Sequence, residues 1–154
     1  PNKFNQVENF LGRPYSLEGN IVEGQKIGSQ MGFPTANLGD IKQLLPARGV
    51  YLGQVWLASP SAQRPSLLST PSEPHQGVIN VGYRPTLTST QARLSVEAYV
   101  FSQDIPRSNW YGKKATFFFS SFLREEKKFH EVSLLKEQIK KDIERAKKIL
   151  SKKK

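Results

Sequence analysis

Residues 24–37 hold side chains and glycines that could bind a nucleotide phosphate and a metal ion. The stretch contains three glycines, Lys26 and Ser29, and it ends in Pro-Thr-Ala-Asn followed by a leucine. Glycines reach positive φ and let a ligand approach backbone N–H groups, which together can form a concave anion site. Thr35 and Asn37 are two residues apart, so in an extended segment their oxygens share one side and could help to hold a hard cation. A glycine-rich hairpin turn followed by a strand is the alternative, because the chain has neither a P-loop nor a G-x-G-x-x-G motif.

Glu97 is the carboxylate whose neighbours single it out. It lies in a predicted strand where Val96, Ala98 and Tyr99 are apolar or aromatic. A carboxylate on a covered strand costs free energy unless it is paired or used in chemistry. Glu97 is therefore a candidate for catalysis. The alternative is a structural Glu on the outer face that pairs with a Lys or Arg across the sheet.

The connector at residues 124–129 is a second candidate region. A basic residue with an aromatic residue behind it, Arg124 and Phe129, could clamp a planar ring or a phosphate. An ordinary charged connector with Phe129 as a hydrophobic staple is the alternative. His75 and His130 have no partner at metal-ligand spacing, so we assign neither to chemistry.

Composition narrows the class of protein. The 154 residues are enough for one domain with a sizeable core. The chain has no cysteine, which excludes disulfides, thiolate metal sites and a Cys nucleophile, and we expect a cytoplasmic protein. No apolar run is long enough to span a membrane, so no membrane partner is expected. The net charge of +10 is concentrated near the C-terminus, where it is typical of a solvated helix face.

Alternating apolar residues predict six strands. They are expected at residues 16–22, 35–38, 49–58, 77–82, 92–101 and 114–122. After them the apolar period changes to that of a helix at residues 133–151, with Ser133 as its N-cap. One apolar stripe of this helix is formed by Leu135, Ile139, Ile143, Ala146 and Leu150. The order predicts a mainly β protein, an antiparallel barrel or sandwich with the helix packed on it.

The remaining segments are expected to be irregular. Residues 1–15 are predicted to be a tail or linker from a preceding segment, with a helix end as an alternative for residues 1–10. The domain proper is expected to span residues 16–154. Residues 59–76 are rich in Ser and Pro and predict a mobile loop, and residues 83–86 predict a turn or irregular edge.

Several motifs in order make the chain similar to a known family. The most specific is Gly-x-x-x-Gly-Phe-Pro-Thr-Ala-Asn-Leu at residues 28–38. Others are Pro-x-x-Gly-Val-Tyr at 46–51, Gly-Val-x-Asn-Val-Gly-x-Arg-Pro-Thr at 77–86 and Leu-Arg-x-Glu-x-x-Phe at 123–129. Over residues 11–150 the chain resembles the riboflavin kinase family, in particular the kinase module of bacterial bifunctional riboflavin kinase/FAD synthetases.

The resemblance implies a fold and an activity. The fold would be a six-stranded antiparallel Greek-key barrel with a C-terminal α-helix packed on it. The activity would be transfer of the γ-phosphoryl group of ATP to the 5′-hydroxyl of riboflavin, which gives FMN and ADP. ATP would be the co-substrate, and Mg²⁺ or another divalent cation would be required.

The resemblance also implies residue roles. The ATP phosphates would lie under a loop that includes Gly24, Lys26, Gly28, Ser29, Gly32 and Thr35. Thr35 and Asn37 would hold the cation, and Glu97 would be the catalytic carboxylate. The flavin site would be lined by Phe117, Arg124 and Phe129.

The sequence departs from the family pattern at three places. Ser29 stands where bacterial members usually have a basic residue, and Tyr99 stands where a His is common. The Ser- and Pro-rich loop is longer than in most members. The adenylyltransferase signature of the bifunctional enzymes does not occur in this sequence.

Two other functions stay open at this point. One is a basic, OB-like nucleic-acid-binding barrel, although Phe117 to Phe119 run consecutively and so cannot form one stacking face on a strand. The other is a flavin-binding domain without catalysis. We expect the kinase, acting as a monomer on riboflavin and ATP, with no nucleic-acid partner.

Overall fold

The computed structural model describes residues 3–58, 73–84, 93–102 and 107–152, and these form a closed antiparallel β-barrel with a C-terminal helix. The strands are β1 (Ser16–Val22), β2 (Ala36–Gly39), β3 (Gly49–Leu57), β4 (His75–Arg84), β5 (Arg93–Val100) and β6 (Lys114–Arg124). The helices are α1 (Lys3–Leu11), the one-turn α2 (Ile27–Gln30) and α3 (Val132–Ser151), and a 3-10 turn spans Arg107–Trp110. The predicted fold class is confirmed.

The barrel has Greek-key connections. The strands close in the order β1-β2-β5-β4-β3-β6, and every neighbouring pair is antiparallel. The strands β3, β4 and β5 are successive neighbours, whereas β2 lies beside β5 instead of β3, which is the Greek-key arrangement. This connection brings the segment after the glycine loop beside the strand that carries Glu97.

Alternation along each strand separates the interior of the barrel from its outer face. The interior is filled by Leu17, Ile21, Tyr51, Val55, Ile79, Val81, Val96, Ala98, Phe117 and Phe119. On the outer face a second apolar cluster joins Val50, Leu52 and Leu123 to Ala146 of α3, with Ile149 and Leu150 packed against it. The C-terminal half of α3 is thereby fixed to the barrel.

Strand β4 is longer at both ends than its sequence predicted. The mobile loop was expected to extend to residue 76, but His75 and Gln76 pair with Val55 and Gln54 of β3. The turn expected at residues 83–86 is also wrong at its start, because Tyr83 and Arg84 pair with β5. Backbone pairing extends this strand across polar residues that break the apolar alternation. The rest of the expected loop, residues 59–72, lies outside the described residues, as do residues 85 and 86.

The N-terminus of α3 differs from the expectation in its cap. The helix begins at Val132, and Glu131 occupies the N-cap position without a side-chain cap hydrogen bond. Ser133 lies in the first turn, and its hydroxyl contacts Glu131 Oε2 at 3.1 Å. The prediction of Ser133 as the N-cap was therefore wrong.

The first fifteen residues include a helix that packs on the barrel. In α1 the ring of Phe4 lies 5.4 Å from that of Tyr51 and 6.0 Å from those of Phe119 and Tyr15. These contacts give the helix an apolar anchor on the barrel. Of the two expectations for residues 1–10, a tail or a helix end, the structure shows a helix from Lys3 onward, and residues 1 and 2 lie outside the described residues.

Candidate active site

A cavity of about 750 Å³ lies between the outer face of the sheet and α3. This volume is in the range of about 300–1,000 Å³ that is usual for small-molecule sites. One wall is formed by the strands β2, β3, β4 and β5, and the opposite wall by α3 and by the connector that precedes it. The glycine loop and α2 border the cavity beside β2.

Three polar side chains form a row across the sheet wall. Asn37 of β2 pairs with Glu97 of β5, and Glu97 pairs with Asn80 of β4. Directly paired residues of antiparallel strands project to the same face, so all three side chains reach the cavity that they line. Glu97 thus lies between two side-chain amides. The sequence singled out Glu97 and Asn37 but gave no role to Asn80. Its signal was a polar side chain in the stretch 77–82, whose other residues are apolar or glycine.

The predicted metal pair lies beside this carboxylate. Thr35 Oγ1 is 3.4 Å from Glu97 Oε2, and the Asn37 side chain is only 6% exposed. Gly24 backs Asn37 so closely that a Cβ there would lie 2.3 Å from Asn37 Nδ2. The loop therefore has to carry glycine at this position.

The donor set fits a hard cation. Mg²⁺ accepts neutral hydroxyl and amide oxygens such as those of Thr35 and Asn37, and it keeps water or takes phosphate oxygens for the rest of its shell. Within the parts of the chain that the structure describes, no group of three His, Cys, Asp or Glu side chains could hold a metal by itself. A cation here would thus depend on water and phosphate oxygens to complete its shell.

The glycine loop folds around the one-turn helix α2. Lys26 precedes it with φ of 58°, in the left-handed region, and the carbonyl of Gly28 accepts the N–H groups of Met31 and Phe33. Of the residues expected at the phosphates, Lys26, Gly28 and Thr35 line the cavity. Gly24, Ser29 and Gly32 support the loop from outside the lining, and Gly32 has φ of +86°.

The lining carries more positive than negative charge. Its basic residues are Lys26, Arg48, Arg124, Lys127 and Lys128, and its acidic residues are Glu97, Glu126 and Asp142. The Glu23 carboxylate, through a side-chain hydrogen bond and its charge, raises the pKa of the Lys26 ammonium. A positive excess around a cavity raises the local concentration of a polyanionic ligand.

The helix wall of the cavity is aliphatic. Leu135, Ile139 and Ile143 of α3 follow one another at four-residue spacing and face Val50 and Val78 of the sheet. The sequence predicted this stripe only as a packing surface. Its N-terminal half instead borders the cavity, where it offers an apolar surface to a ligand.

The connector between β6 and α3 contacts the C-terminal end of β4. Glu126 Oε1 accepts the backbone N–H of Tyr83 at 2.9 Å, and Glu126 Oε2 lies 3.6 Å from Arg48 Nη1. Gly82 leaves room for this carboxylate, since a Cβ there would lie 2.4 Å from Glu126 Oε1. Phe129, expected at the flavin, lies on the same connector and lines the cavity.

Two of the three residues expected at the flavin line the cavity, and Phe117 does not. Phe117 has no exposed surface and lies among the side chains that fill the barrel. Its strand places it opposite Leu17 and Val55, on the inner face. The expectation that it lines the flavin site is corrected, because the alternation of β6 directs it inward.

Replacing Phe117 with leucine is expected to lower stability without changing ligand affinity. The truncation should cost about 1–2 kcal/mol of unfolding free energy, within the usual range for a core substitution. Thermal unfolding measures the stability, and riboflavin KM is measured at a temperature well below the transition. The outward neighbour Phe118, changed to leucine, is the control and should lose less stability. A riboflavin KM raised severalfold with unchanged stability would return Phe117 to the flavin site.

Comparison with known proteins decides the family. A flavokinase model, which describes riboflavin kinases, matches residues 11–150. The chain belongs to the riboflavin kinase family. A bifunctional riboflavin kinase/FMN adenylyltransferase of Haemophilus influenzae is 39% identical over 141 residues, which are 92% of this chain and 40% of that protein. The chain thus spans about 40% of the length of this curated relative.

Two solved structures share the fold. A riboflavin kinase from Trypanosoma brucei has a TM-score of 0.61 and 26% identity, and the match covers 90% of this chain and 81% of that one. A Streptococcus pneumoniae protein described as a macrolide-efflux protein has a TM-score of 0.64 and 28% identity, over 92% of this chain and 41% of that one. Among the described residues, no helix is both long and apolar enough to cross a bilayer.

Proposed function

We propose that this chain transfers the γ-phosphoryl group of ATP to the 5′-hydroxyl of riboflavin, with FMN and ADP as products. The observation that carries the proposal is the Glu97 carboxylate, which lies between Asn37 and Asn80 with Thr35 Oγ1 at 3.4 Å. It faces a cavity whose opposite wall is aliphatic. The site therefore joins a proton acceptor and oxygen ligands for a cation to an apolar surface for a ring.

The chemistry needs little more than positioning. The 5′-hydroxyl would donate a hydrogen bond to Glu97, and its oxygen would attack the γ-phosphorus in line with the leaving ADP oxygen. The new bond joins that oxygen to phosphorus while the bond to the β,γ-bridging oxygen breaks, and the hydroxyl proton passes to Glu97. The Glu97 carboxylate orients the hydroxyl and accepts its proton as the bonds to phosphorus change.

ATP would bind at the β2 side of the cavity. Lys26 and the backbone of Gly28 line that side, and the positive excess of the lining favours a polyphosphate. Thr35 and Asn37 would hold a divalent cation, with Glu97 beside them. When bound, the cation neutralises charge on the phosphate oxygens.

Riboflavin would bind on the α3 side of the cavity. The flat faces of its aromatic ring system suit the gap between the stripe of Leu135, Ile139 and Ile143 and the sheet residues Val50 and Val78. Phe129 lies at the same side on the connector and could cover the ring. The ribityl chain would then extend along the sheet wall toward Glu97.

A product-resolved assay distinguishes this proposal from the two alternatives. The chain is incubated with riboflavin, ATP and Mg²⁺, and FMN and ADP are measured by chromatography. We expect equal amounts of both products, and neither when riboflavin or Mg²⁺ is omitted. Flavin binding without FMN formation would indicate a carrier. Salt-sensitive oligonucleotide binding without flavin binding would indicate a nucleic-acid-binding barrel.

No observation favours the nucleic-acid barrel over the kinase. Of the consecutive aromatics in β6, Phe117 and Phe119 are buried in the barrel, so only alternate residues reach the outside. A monomeric state and a cytoplasmic location stay predictions.

A further inference from the structure

Arg124, at the end of β6, is held by Asp142 of α3, and Asp142 in turn is held by Gln138 of the same helix. Its Nη2 donates to Asp142 Oδ2 at 2.7 Å, and its Nε lies 2.9 and 3.0 Å from the two carboxylate oxygens. Gln138 Nε2 donates to Asp142 Oδ1 at 2.9 Å, and Arg124 Nη1 donates to the carbonyl of Glu125 at 2.9 Å. The side chains of the pair are 14% and 7% exposed, so these bonds are shielded from water.

This cluster lies where α3 leaves the body of the barrel. On its C-terminal side, Ala146, Ile149 and Leu150 pack in the outer apolar cluster with Val50 and Leu123. On its N-terminal side, the stripe from Leu135 to Ile143 borders the cavity. The N-terminal end of the helix has no side-chain cap hydrogen bond. The charged cluster therefore anchors the half of the helix that overhangs the cavity.

Strand pairing places this cluster at the same level of the sheet as the row of Asn37, Glu97 and Asn80. Arg124 pairs with Val50 of β3, Val50 pairs with Asn80 of β4, and Asn80 pairs with Glu97 of β5. The helix wall is thus tied to the sheet at the level of Glu97. A bidentate Arg–carboxylate pair fixes orientation as well as distance, which a single apolar contact does not.

We propose that Arg124, Asp142 and Gln138 are positioning residues that set the gap between the aliphatic stripe of α3 and the sheet, and thereby the affinity for the flavin ring. The inference rests on the proposed function. It gives Arg124 a role through α3 in place of direct contact with the flavin, because three of its N–H groups are already engaged by Asp142 and by the backbone. The affinity for the planar ring then depends on how this cluster holds α3 against the sheet.

Asp142→Asn tests this by removing the charge that holds Arg124. We expect riboflavin KM to rise about tenfold, equal to about 1.4 kcal/mol, while ATP KM and kcat at saturating riboflavin change less than about threefold. Amide exchange in residues 133–143 should accelerate, while β4 and β5 remain protected. Glu144→Gln, an exposed carboxylate on the same helix, is the matched control and should behave as wild type. Asp142→Glu should recover part of the lost affinity.

The possible outcomes distinguish failure of the positioning role from failure of the proposed kinase activity. An active wild type with unchanged riboflavin KM in Asp142→Asn would overturn the inference and leave the kinase standing. A wild type that makes no FMN would overturn the proposed function itself. Equal losses in kcat and in both KM values would indicate general damage and also contradict the inference. If Asp142→Asn does not fold, Gln138→Leu decides, with riboflavin KM expected to rise about threefold and an unchanged value counting against the cluster.

Discussion

Glu97→Gln is expected to lower kcat at least about a hundredfold, the usual scale for a positioned acid–base group. The amide keeps the shape of the side chain but cannot accept the hydroxyl proton. The KM values for riboflavin and ATP should change little, because the ground-state contacts proposed for the flavin ring and the phosphates do not depend on this charge. Steady-state kinetics with both substrates varied, together with thermal unfolding, measures the effect.

A matched control separates catalysis from stability. Glu18 is an exposed carboxylate on β1, and Glu18→Gln should keep wild-type kinetics. If Glu97→Gln retains near-normal kcat, or loses its fold while the control does not, Glu97 is a structural carboxylate. The proton acceptor would then have to be sought among other cavity residues.

Asn37→Ala is expected to weaken productive binding of ATP with its cation. Asn37 is buried beside Glu97, and Gly24 packs directly against its side chain, so the substitution removes one oxygen from the proposed cation site. We expect ATP KM and the Mg²⁺ concentration for half-maximal rate to rise about tenfold or more, with riboflavin affinity nearly unchanged. Mg²⁺ titrations at fixed ATP, with riboflavin binding followed by flavin fluorescence, measure both effects.

The control for this variant is another asparagine on a neighbouring strand. Asn20 of β1 donates to Asp40 at 2.9 Å on the exposed surface, so Asn20→Ala should leave the Mg²⁺ requirement unchanged. Full activity of Asn37→Ala at limiting Mg²⁺ would remove Asn37 from the cation site.

Alternation predicted the six strands, and an apolar stripe at helical spacing predicted α3. Each strand buries one face in the barrel, so apolar residues recur at every second position and mark the strand. The failures are at ends, as in β4, where backbone pairing continues through His75 and Gln76 without an apolar signal. Local sequence does not show how far a neighbouring strand extends.

The candidate site could be predicted in part from side-chain chemistry. Thr35 and Asn37 were chosen as oxygen ligands, and Glu97 as a costly carboxylate on a covered strand. Antiparallel pairing of β2 with β5 brings the three together, with Glu97 half-buried. Their roles stay predictions. Phe117 was misplaced because its inward direction depends on the register of β6 with β1 and β3.

The sequence could not predict that part of the α3 stripe borders the cavity, and the reason is different. An apolar stripe predicts that one helix face is covered, but it does not say by what. Half of the stripe packs on the barrel near Ala146, and half borders the cavity near Ile139. The two halves of the stripe meet near the ion pair of Arg124 and Asp142. These two residues are 18 positions apart and belong to β6 and α3, so the local sequence does not show that they pair.

A crystal structure of the chain with riboflavin, Mg²⁺ and a non-hydrolysable ATP analogue would show whether Glu97 meets the flavin hydroxyl. We expect the flavin ring between the α3 stripe and the sheet, with the 5′-oxygen within about 2.6–3.2 Å of the Glu97 carboxylate. The phosphates should lie against the glycine loop, with the cation held by Thr35 and Asn37. A flavin bound outside this cavity, or a 5′-oxygen beyond hydrogen-bond reach of Glu97 and beside another residue, would contradict it.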